Sequence, residues 1–143
     1  ILPPDFPVGG VILAACSKDG AKAKTATRSY TGTYIVNKLR NIKNDTILAG
    51  SGLPDSSWDP FRKAIADGTQ DKVAHLVTDE MQRRFTVISG TPDECLEITQ
   101  ELVDSGLNLP LLEVVGATEE DNIETIRLFG KEVLPRLKPA AAG

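Results

Sequence analysis

A continuous apolar run, Gly10-Val-Ile-Leu-Ala-Ala-Cys16, ends at the polar residues Ser17-Lys-Asp-Gly20. A short apolar run that is bounded by turn residues is typical of a strand buried on both faces, as in a parallel sheet. A second hydrophobic run, Leu109-Pro-Leu-Leu-Glu-Val-Val115, is closed by Gly116-Ala117. A helical pattern follows each run, so the sequence predicts an α/β fold that contains two βα units.

Two long helices are predicted from apolar residues that recur every three to five positions. The first covers residues 21–42 and places Tyr30 and Tyr34 on its apolar face. The last begins after Thr118, which can act as an N-terminal cap, and ends at Pro135. The predicted buried residues of this last helix are Ile123, Ile126, Phe129, Val133 and Leu134.

The middle of the chain is predicted to be a helical insertion between the two βα units. Residues 44–57 contain Gly50-Ser-Gly52 and Pro54, which predicts a loop. Residues 57–68 and 69–83 have helical patterns, and residues 85–88 form a brief β-like run.

The sharpest local signal is Ser89-Gly-Thr-Pro-Asp-Glu94. Thr91 can cap a helix, Pro92 suits the first helical position, and Glu94 can reach back to close a capping box. The helix that this segment opens is expected to end at Gly106 in the left-handed conformation.

Composition and charge exclude several classes of protein. The 143 residues suit one globular domain, and a net charge of −4 argues against a nucleic-acid partner. No apolar run approaches the roughly 18 residues of a membrane-spanning helix, so no membrane partner is expected. Cys16 and Cys95 lack both C-x-x-C spacing and partner histidines, which argues against a metal site and a disulfide. Reduced thiols in a cytoplasmic protein are expected.

Two parallel strands cannot form a stable sheet alone, because both faces must be covered and the edges must be paired. We therefore expect the chain to be the last part of a larger barrel or doubly wound sheet. Residues 1–9 hold three prolines and predict an extended lead-in, and residues 139–143 predict a frayed tail. The start at Ile1, without a methionine, suggests a processed chain, a fragment or an incomplete sequence.

Three segments resemble the C-terminal end of luciferase-like monooxygenases, namely residues 85–97, 105–108 and 126–137. They are most similar to the branch that uses the deazaflavin coenzyme F-420, which includes methylenetetrahydromethanopterin reductase and the deazaflavin type of glucose-6-phosphate dehydrogenase. The resemblance implies the C-terminal portion of a (β/α)8 TIM barrel. Residues 10–16 would be its seventh strand, residues 44–88 an excursion before the seventh helix, and residues 109–115 its eighth strand.

The resemblance also implies a function. The parent protein would be an oxidoreductase that uses coenzyme F-420, or alternatively FMN, to transfer a hydride to or from a small organic substrate. It would be a homo-oligomer, and its cofactor-binding loops would lie mostly on earlier strands. No residue of this chain is therefore assigned to catalysis or to the cofactor. The alternative is a non-catalytic αβ module that is stable only when its strands pair with a partner chain.

Four residues are candidates for substrate binding. In a (β/α) barrel the active site lies at the C-terminal ends of the strands, which places Cys16, Ser17 and Gly116 on the substrate side. Arg84 directly precedes Phe85, and the resemblance matches it to an arginine that binds the substrate phosphate in the sugar-phosphate branch. The alternatives are that Cys16 is a packed core residue and that Arg84 is a solvated helix end.

Overall fold

The computed structural model describes residues 6–41 and 46–139. In this part of the chain, three parallel strands form one sheet: β1 (Gly9–Cys16), β2 (Ile88–Gly90) and β3 (Leu109–Val114). Their order is β2-β1-β3, so β1 is central. β3 pairs with β1 from Gly9 to Ala14, whereas β2 pairs only with the last three residues of β1. Both strands that the sequence predicted are confirmed.

β2 is a strand that the sequence did not predict. The β-like run expected at residues 85–88 overlaps it at Ile88 alone. Thr86 has a φ of 57°, in the left-handed region, so the chain changes direction there and only the following residues are extended. The sheet therefore contains one more strand than the two predicted βα units.

The helices lie between and after the strands. They are α1 (Gly20–Asn41), α2 (Thr46–Gly50), α3 (Asp59–Ala66), α4 (Asp79–Arg84), α5 (Pro92–Asp104) and α6 (Glu119–Leu128). Single turns of 3-10 helix occupy Asp55–Trp58, Gln70–Lys72 and Ala74–Leu76. After α6, a π-helical turn at Phe129–Val133 leads into a 3-10 turn at Leu134–Arg136.

The predictions for the middle of the chain were partly wrong. The expected loop at residues 44–57 contains α2 and a 3-10 turn, while residues 44 and 45 lie outside the described residues. The expected helix at residues 69–83 is split into two 3-10 turns and α4. The split occurs because Val77 is extended and Thr78 Oγ1 then accepts the N–H of Met81, which caps α4 as a new helix.

The boundaries near the ends of the chain differ less from the prediction. The lead-in is shorter than residues 1–9, because Gly9 already belongs to β1; residues 1–5 lie outside the described residues. Residue 42, the predicted end of the first helix, and residues 140–143 of the predicted tail lie outside them too.

The capping box of α5 is confirmed. The Oγ1 of Thr91 accepts the N–H of Glu94 at 3.4 Å, and the Oε2 of Glu94 accepts the N–H of Thr91 at 2.7 Å. Pro92 is the first residue of the helix, and Gly106 follows its end with a φ of 101°.

Alternate residues of β1 point to opposite faces of the sheet, and helices cover both faces. Ile12 and Cys16 pack in one core with residues of α5, α6 and the π-helical turn. On the other face, Leu13 and Ala15 pack against Ala23 of α1. The described chain is thus built in three layers, with the sheet between α1 and the α5–α6 pair.

The buried face of α1 is not the predicted one. Thr27 and Thr31 are buried, whereas Tyr30 and Tyr34 are 50% and 38% exposed. The hydroxyls of Thr27 and Thr31 donate to the carbonyls of Ala23 and Thr27, one turn earlier, so their polar groups are satisfied inside the helix. Because these threonine side chains are small and their hydroxyls are hydrogen-bonded within the helix, α1 can approach the sheet closely.

The buried face of the last helix also differs from the prediction. Ile123 and Ile126 are exposed, and Thr125 and Leu128 take the buried positions. Leu134 is exposed as well, because the N–H of Leu134 bonds to the carbonyl of Phe129, five residues earlier, and this wider turn rotates the face of the helix. Only Phe129 and Val133 of the predicted face are buried.

On the sheet face that packs against α1, the residues at the beginning of the strands are exposed to solvent. Val11, Leu109 and Leu111 are 69%, 49% and 54% exposed, and the register places Val11 beside Leu111. We call these three residues the uncovered sheet face. Large exposed apolar patches of this kind mark interaction surfaces.

Among the described helices, none combines the length and the apolar character that a membrane crossing requires.

We predict that Glu94 contributes stability that is lost on acidification. Hydrogen bonds from Lys24 and from the backbone N–H of Thr91 lower the pKa of the Glu94 carboxyl below its ordinary value of 4.5. A depressed pKa in the folded state adds stability above pH 4.5, and this contribution disappears as the pH falls through the folded-state value. Glu94→Gln should therefore cost about 0.5 kcal/mol at pH 7 and almost nothing at pH 3.

Melting temperatures of the wild type and of the Glu94→Gln variant, measured from pH 7 to pH 3, test this prediction. Glu97→Gln is the matched control, because Glu97 lies on the same helix outside the capping box. Equal acid sensitivity of Glu94→Gln and the wild type would contradict the prediction.

Candidate functional site

The carboxyl ends of β1 and β3 meet in a narrow cleft that contains three of the four predicted residues. Cys16, Ser17 and Gly116 all line it. Its free space is only about 10 Å³, roughly that of one water molecule. The expectation that these residues share one place at the strand ends agrees with the geometry, but the cleft is nearly filled.

Ser17 is a buried polar residue of the cleft wall. Its hydroxyl lies 3.3 and 3.2 Å from the two carboxylate oxygens of Glu124 on α6, to which it donates. The same oxygen accepts the backbone N–H of Asp19 at 3.2 Å. Ser17 therefore joins the loop after β1 to α6 and holds the Glu124 carboxylate in the cleft wall.

Cys16 is packed, and its main chain is held by Thr125. Cys16 is 1% exposed. Its N–H donates to the hydroxyl oxygen of Thr125 at 3.0 Å, and the same hydroxyl donates to its carbonyl at 3.1 Å. Sequence reasoning missed Thr125, because a single threonine in a helix carries no signal of a bond that spans 109 residues.

The two cysteines, which are distant in the sequence, lie in the same core. Both are free thiols and both are buried. The Sγ of Cys95 donates toward the carbonyls of Ala15 and Gly90, each at 3.7 Å. A hydrogen bond with Cys16 and burial raise the pKa of the Cys95 thiol, so Cys95 is a protonated core residue rather than a nucleophile.

Gly116 allows α6 to start directly above the end of β3. A Cβ at position 116 would lie 2.6 Å from the Cβ of Asp121 and 2.8 Å from the Oδ1 of Asn122. Asp121 also forms an ion pair with Lys22 of α1, across the cleft. The close helix and the ion pair together account for the small volume of the cleft.

Arg84, the fourth predicted residue, lies in a different place. It lines an open cavity of about 530 Å³ between the uncovered sheet face and the exposed side of α1. This volume falls in the range of small-molecule sites, about 300–1,000 Å³. The residues of this α1 cavity that matter below are Val11, Leu13, Tyr30, Tyr34, Arg84 and Glu113.

The α1 cavity has apolar and aromatic walls with two charged groups. Arg84 is at the end of α4, and its only ion-pair partner among the described residues is Glu80 of the same helix, at 3.7 Å. Glu113 lies on β3 in register with Leu13, and in the described part of the chain its carboxylate has no hydrogen-bond or ion-pair partner. The cavity thus has one exposed acidic and one basic group at its surface.

The wall of the cavity beside Arg84 is conformationally strained. Thr86 adopts a φ of 57°, which is costly for a β-branched residue. The ring of Phe85 packs edge-on against that of Tyr34, with centroids 5.7 Å apart and planes at 70°. This contact and that of Phe85 with Trp58, at 6.2 Å, hold the strained turn in place and orient Tyr34.

The described residues support neither a site built on His75 nor a metal site. His75 is exposed in a 3-10 turn. Within residues 6–41 and 46–139, no group of three His, Cys, Asp or Glu side chains could hold a metal ion.

Two relatives of this chain carry the same enzyme name. No protein-family model matches the chain. The chain is 33% identical over 127 residues to 5,10-methylenetetrahydromethanopterin reductase of Archaeoglobus fulgidus, a match that covers 85% of this chain and 35% of that protein. It is 30% identical over 134 residues to the reductase of the same name from Methanolobus tindarius, which covers 92% and 38%.

A solved structure agrees with these relatives. The chain superimposes on the coenzyme F420-dependent tetrahydromethanopterin reductase from Methanopyrus kandleri with a TM-score of 0.70 and 25% identity, over 92% of this chain and 36% of that chain. The chain is thus similar to reductases of this kind over most of its own length. The resemblance inferred from residues 85–97, 105–108 and 126–137 is confirmed, and so is the α/β class as part of a barrel of this kind. The chain spans little more than a third of the length of the relatives that it matches.

We predict that the Thr125 hydroxyl is required for stability. Thr125→Val keeps the shape but leaves the buried N–H and carbonyl of Cys16 without this partner, which should cost about 2 kcal/mol. Thr125→Ser keeps the hydroxyl and should cost less than about 1 kcal/mol. Urea denaturation of the three proteins measures the difference. A Val variant as stable as the wild type would show that the hydroxyl does not anchor α6.

Proposed function

We propose that the protein containing this chain is a coenzyme F420-dependent oxidoreductase that transfers a hydride to or from a small organic substrate of the tetrahydropterin class. The observation that supports this proposal most is the match to methylenetetrahydromethanopterin reductases over 85–92% of the chain. FMN, the alternative coenzyme, receives no such support, because the solved relative is named for F420.

The residues of the α1 cavity fit a planar, anionic ligand. Val11 and Leu13 provide an apolar wall, Tyr30 and Tyr34 provide exposed aromatic rings, and Arg84 provides a cation. Coenzyme F420, when bound, supplies the hydride chemistry itself, so the protein needs no nucleophile or triad. The chain's own contribution is to orient ligands and to exclude water.

Arg84 is proposed to bind an anionic group of the substrate or coenzyme. Its planar guanidinium can pair with a carboxylate or phosphate at two points. The single long contact to Glu80 leaves donors free for such a group. A solvated helix end, the alternative role, would not require a position on the wall of a cavity.

Cys16, Ser17 and Gly116 are proposed to form the substrate side of the strand ends. In this proposal, Ser17 presents the Glu124 carboxylate, the buried Cys16 positions Ser17, and Gly116 keeps α6 close. A ligand larger than water could enter only if the Lys22–Asp121 ion pair opened. Hydrogen bonding by Glu124 to a substrate N–H or O–H is the chemistry that this arrangement offers.

Of the uncovered sheet face, Leu109 and Leu111 are proposed to pack against the remainder of the barrel or against a partner chain, whereas Val11 lines the α1 cavity. The exposure of Leu109 and Leu111 on the edge strand β3 supports this. The same face is the observation that favours the alternative function, a non-catalytic module completed by a partner. We further propose a homo-oligomeric protein in the cytoplasm, where free thiols such as Cys16 and Cys95 persist.

We predict that the protein, expressed from its whole reading frame, binds coenzyme F420 and oxidises its reduced form when methylenetetrahydromethanopterin is supplied. Quenching of coenzyme fluorescence measures binding, and the change in deazaflavin absorbance measures turnover. FMN is the parallel arm. Absence of both binding and turnover with either coenzyme would reject the enzyme and leave the non-catalytic module.

We predict that Arg84→Ala raises the KM of the anionic ligand about tenfold, because a charge-assisted hydrogen bond is worth about 1.5–3 kcal/mol. Arg83→Ala is the matched control, since Arg83 is paired with Glu97 and Glu101 outside the cavity. The control should leave KM unchanged. If both variants behave alike, Arg84 is a surface residue.

A further inference from the structure

The proposed hydride transfer uses neither of the two thiols in the core. Both cysteines are free and almost fully buried, with Cys16 at 1% and Cys95 at 0% exposure. They come from distant parts of the chain, the end of β1 and the beginning of α5, yet they belong to the same core. Two thiols that share one core can be oxidised as a pair.

The packing places the two sulfur atoms next to each other. The Sγ of Cys95 lies 3.7 Å from the carbonyl oxygen of Ala15, the residue before Cys16, and 3.7 Å from that of Gly90. Gly90 is the register partner of Cys16 in the neighbouring strand. Because alternate residues of β1 face opposite sides, Cys16 and Ile12 point to the face that α5 covers. The two thiols are hydrogen-bonded to each other there.

The Cys16 thiol is the more reactive of the two. The hydrogen bond from Cys95 stabilises its thiolate and lowers the pKa of Cys16 below the ordinary value, although burial and the carboxylates of Glu132 and Glu124 act in the opposite direction. Cys16 also lines the cleft at the strand ends, whose free space of about 10 Å³ is that of one water molecule. This size favours a small oxidant such as a peroxide over a bulky one such as glutathione disulfide.

We propose that Cys16 and Cys95 form a peroxide-sensitive switch, in which a reversible disulfide joins the end of β1 to the beginning of α5. In the first step, the Cys16 thiolate attacks one oxygen of hydrogen peroxide, the O–O bond breaks, and the other oxygen leaves as hydroxide, which takes up the thiol proton to form water. In the second step, the Cys95 sulfur bonds to the sulfenic sulfur, and its proton leaves with the sulfenic hydroxyl as a second water. The thiol pair loses two electrons, and the peroxide gains them.

The disulfide acts on the part of the chain that carries the cleft. Ser17 directly follows Cys16 and is hydrogen-bonded to the Glu124 carboxylate. Oxidation therefore ties α5 to the strand end from which Ser17 and α6 are held. Because a cross-link between such distant residues restricts the unfolded chain, the oxidised protein should unfold at a higher urea concentration than the reduced one.

The test treats the folded protein, expressed from its whole reading frame, with hydrogen peroxide and maps its peptides by mass spectrometry without reduction. We expect a linked peptide that contains Cys16 and Cys95, is lighter by two hydrogens and disappears after treatment with dithiothreitol. Glutathione disulfide at the same concentration should form this peptide at least about tenfold more slowly, because access limits its reaction.

Two variants test which thiol is attacked. In Cys95→Ala, the sulfenic acid of Cys16 has no partner, so dimedone should trap it. Cys16→Ala is the matched control, and its Cys95 should be labelled at least about tenfold less, because burial and the lost partner leave it as an unreactive thiol. Equal labelling of the two variants would overturn the role of Cys16.

Absence of the linked peptide in the folded wild type would overturn the switch. So would a linked peptide that forms only in urea, since the native core would then hold the sulfur atoms out of reach of each other. Equal rates with peroxide and glutathione disulfide would overturn the cleft as the route of the oxidant. The wild-type measurement decides the proposal even where a variant does not fold, and it needs neither coenzyme nor substrate.

Discussion

One hydroxyl, that of Thr125, both accepts the N–H of Cys16 and donates to its carbonyl. This pair of bonds satisfies the main chain at the end of β1, where the sheet stops and its polar groups would otherwise be buried without partners. It also brings α6 onto one face of β1, so that Leu128 and Phe129 cover Ile12. The opposite face is left to α1. The layering of the described chain depends on this contact.

The same arrangement separates two possible binding regions. At the strand ends, Gly116 brings α6 close and Lys22 pairs with Asp121, so the cleft around Ser17 is almost closed. Along the strands, α1 packs against the final residues of β1 and against Val115, which follows β3. The sheet beyond that point stays open and forms the wall of a larger cavity. A region that is open and apolar with few polar groups is the usual form of a ligand site.

The similarity to tetrahydromethanopterin reductases is the basis of the proposed function. Under that proposal, hydride transfer with a bound coenzyme depends on positioning rather than on reactive side chains, which is consistent with a buried, protonated Cys95 and an exposed His75. The strained backbone at Thr86 lies beside the charged wall of the cavity. Strain of this kind persists only where surrounding contacts hold it, as Phe85 does here.

The sequence by itself determined the features that depend on neighbouring residues. Both long strands, the capping box of Thr91 and Glu94, and the left-handed Gly106 follow from local patterns and local hydrogen bonds. Only the tertiary structure decided which helix faces are buried. The hydroxyls of Thr31 and Thr125 are hydrogen-bonded to backbone carbonyls, so these polar residues can be buried at positions where hydrophobic periodicity predicts exposure.

Tertiary structure also decided that the predicted site residues lie in two separate regions. Arg84 and Cys16 were expected to face one substrate, yet they lie in different regions. The reason is that Arg84 follows a helical insertion with its own packing, whereas Cys16 ends a strand of the sheet. Which side chains meet across such distances depends on how separate elements pack. Sequence patterns of three to five residues therefore revealed the elements, and the packing of α1 against the sheet revealed the cavity.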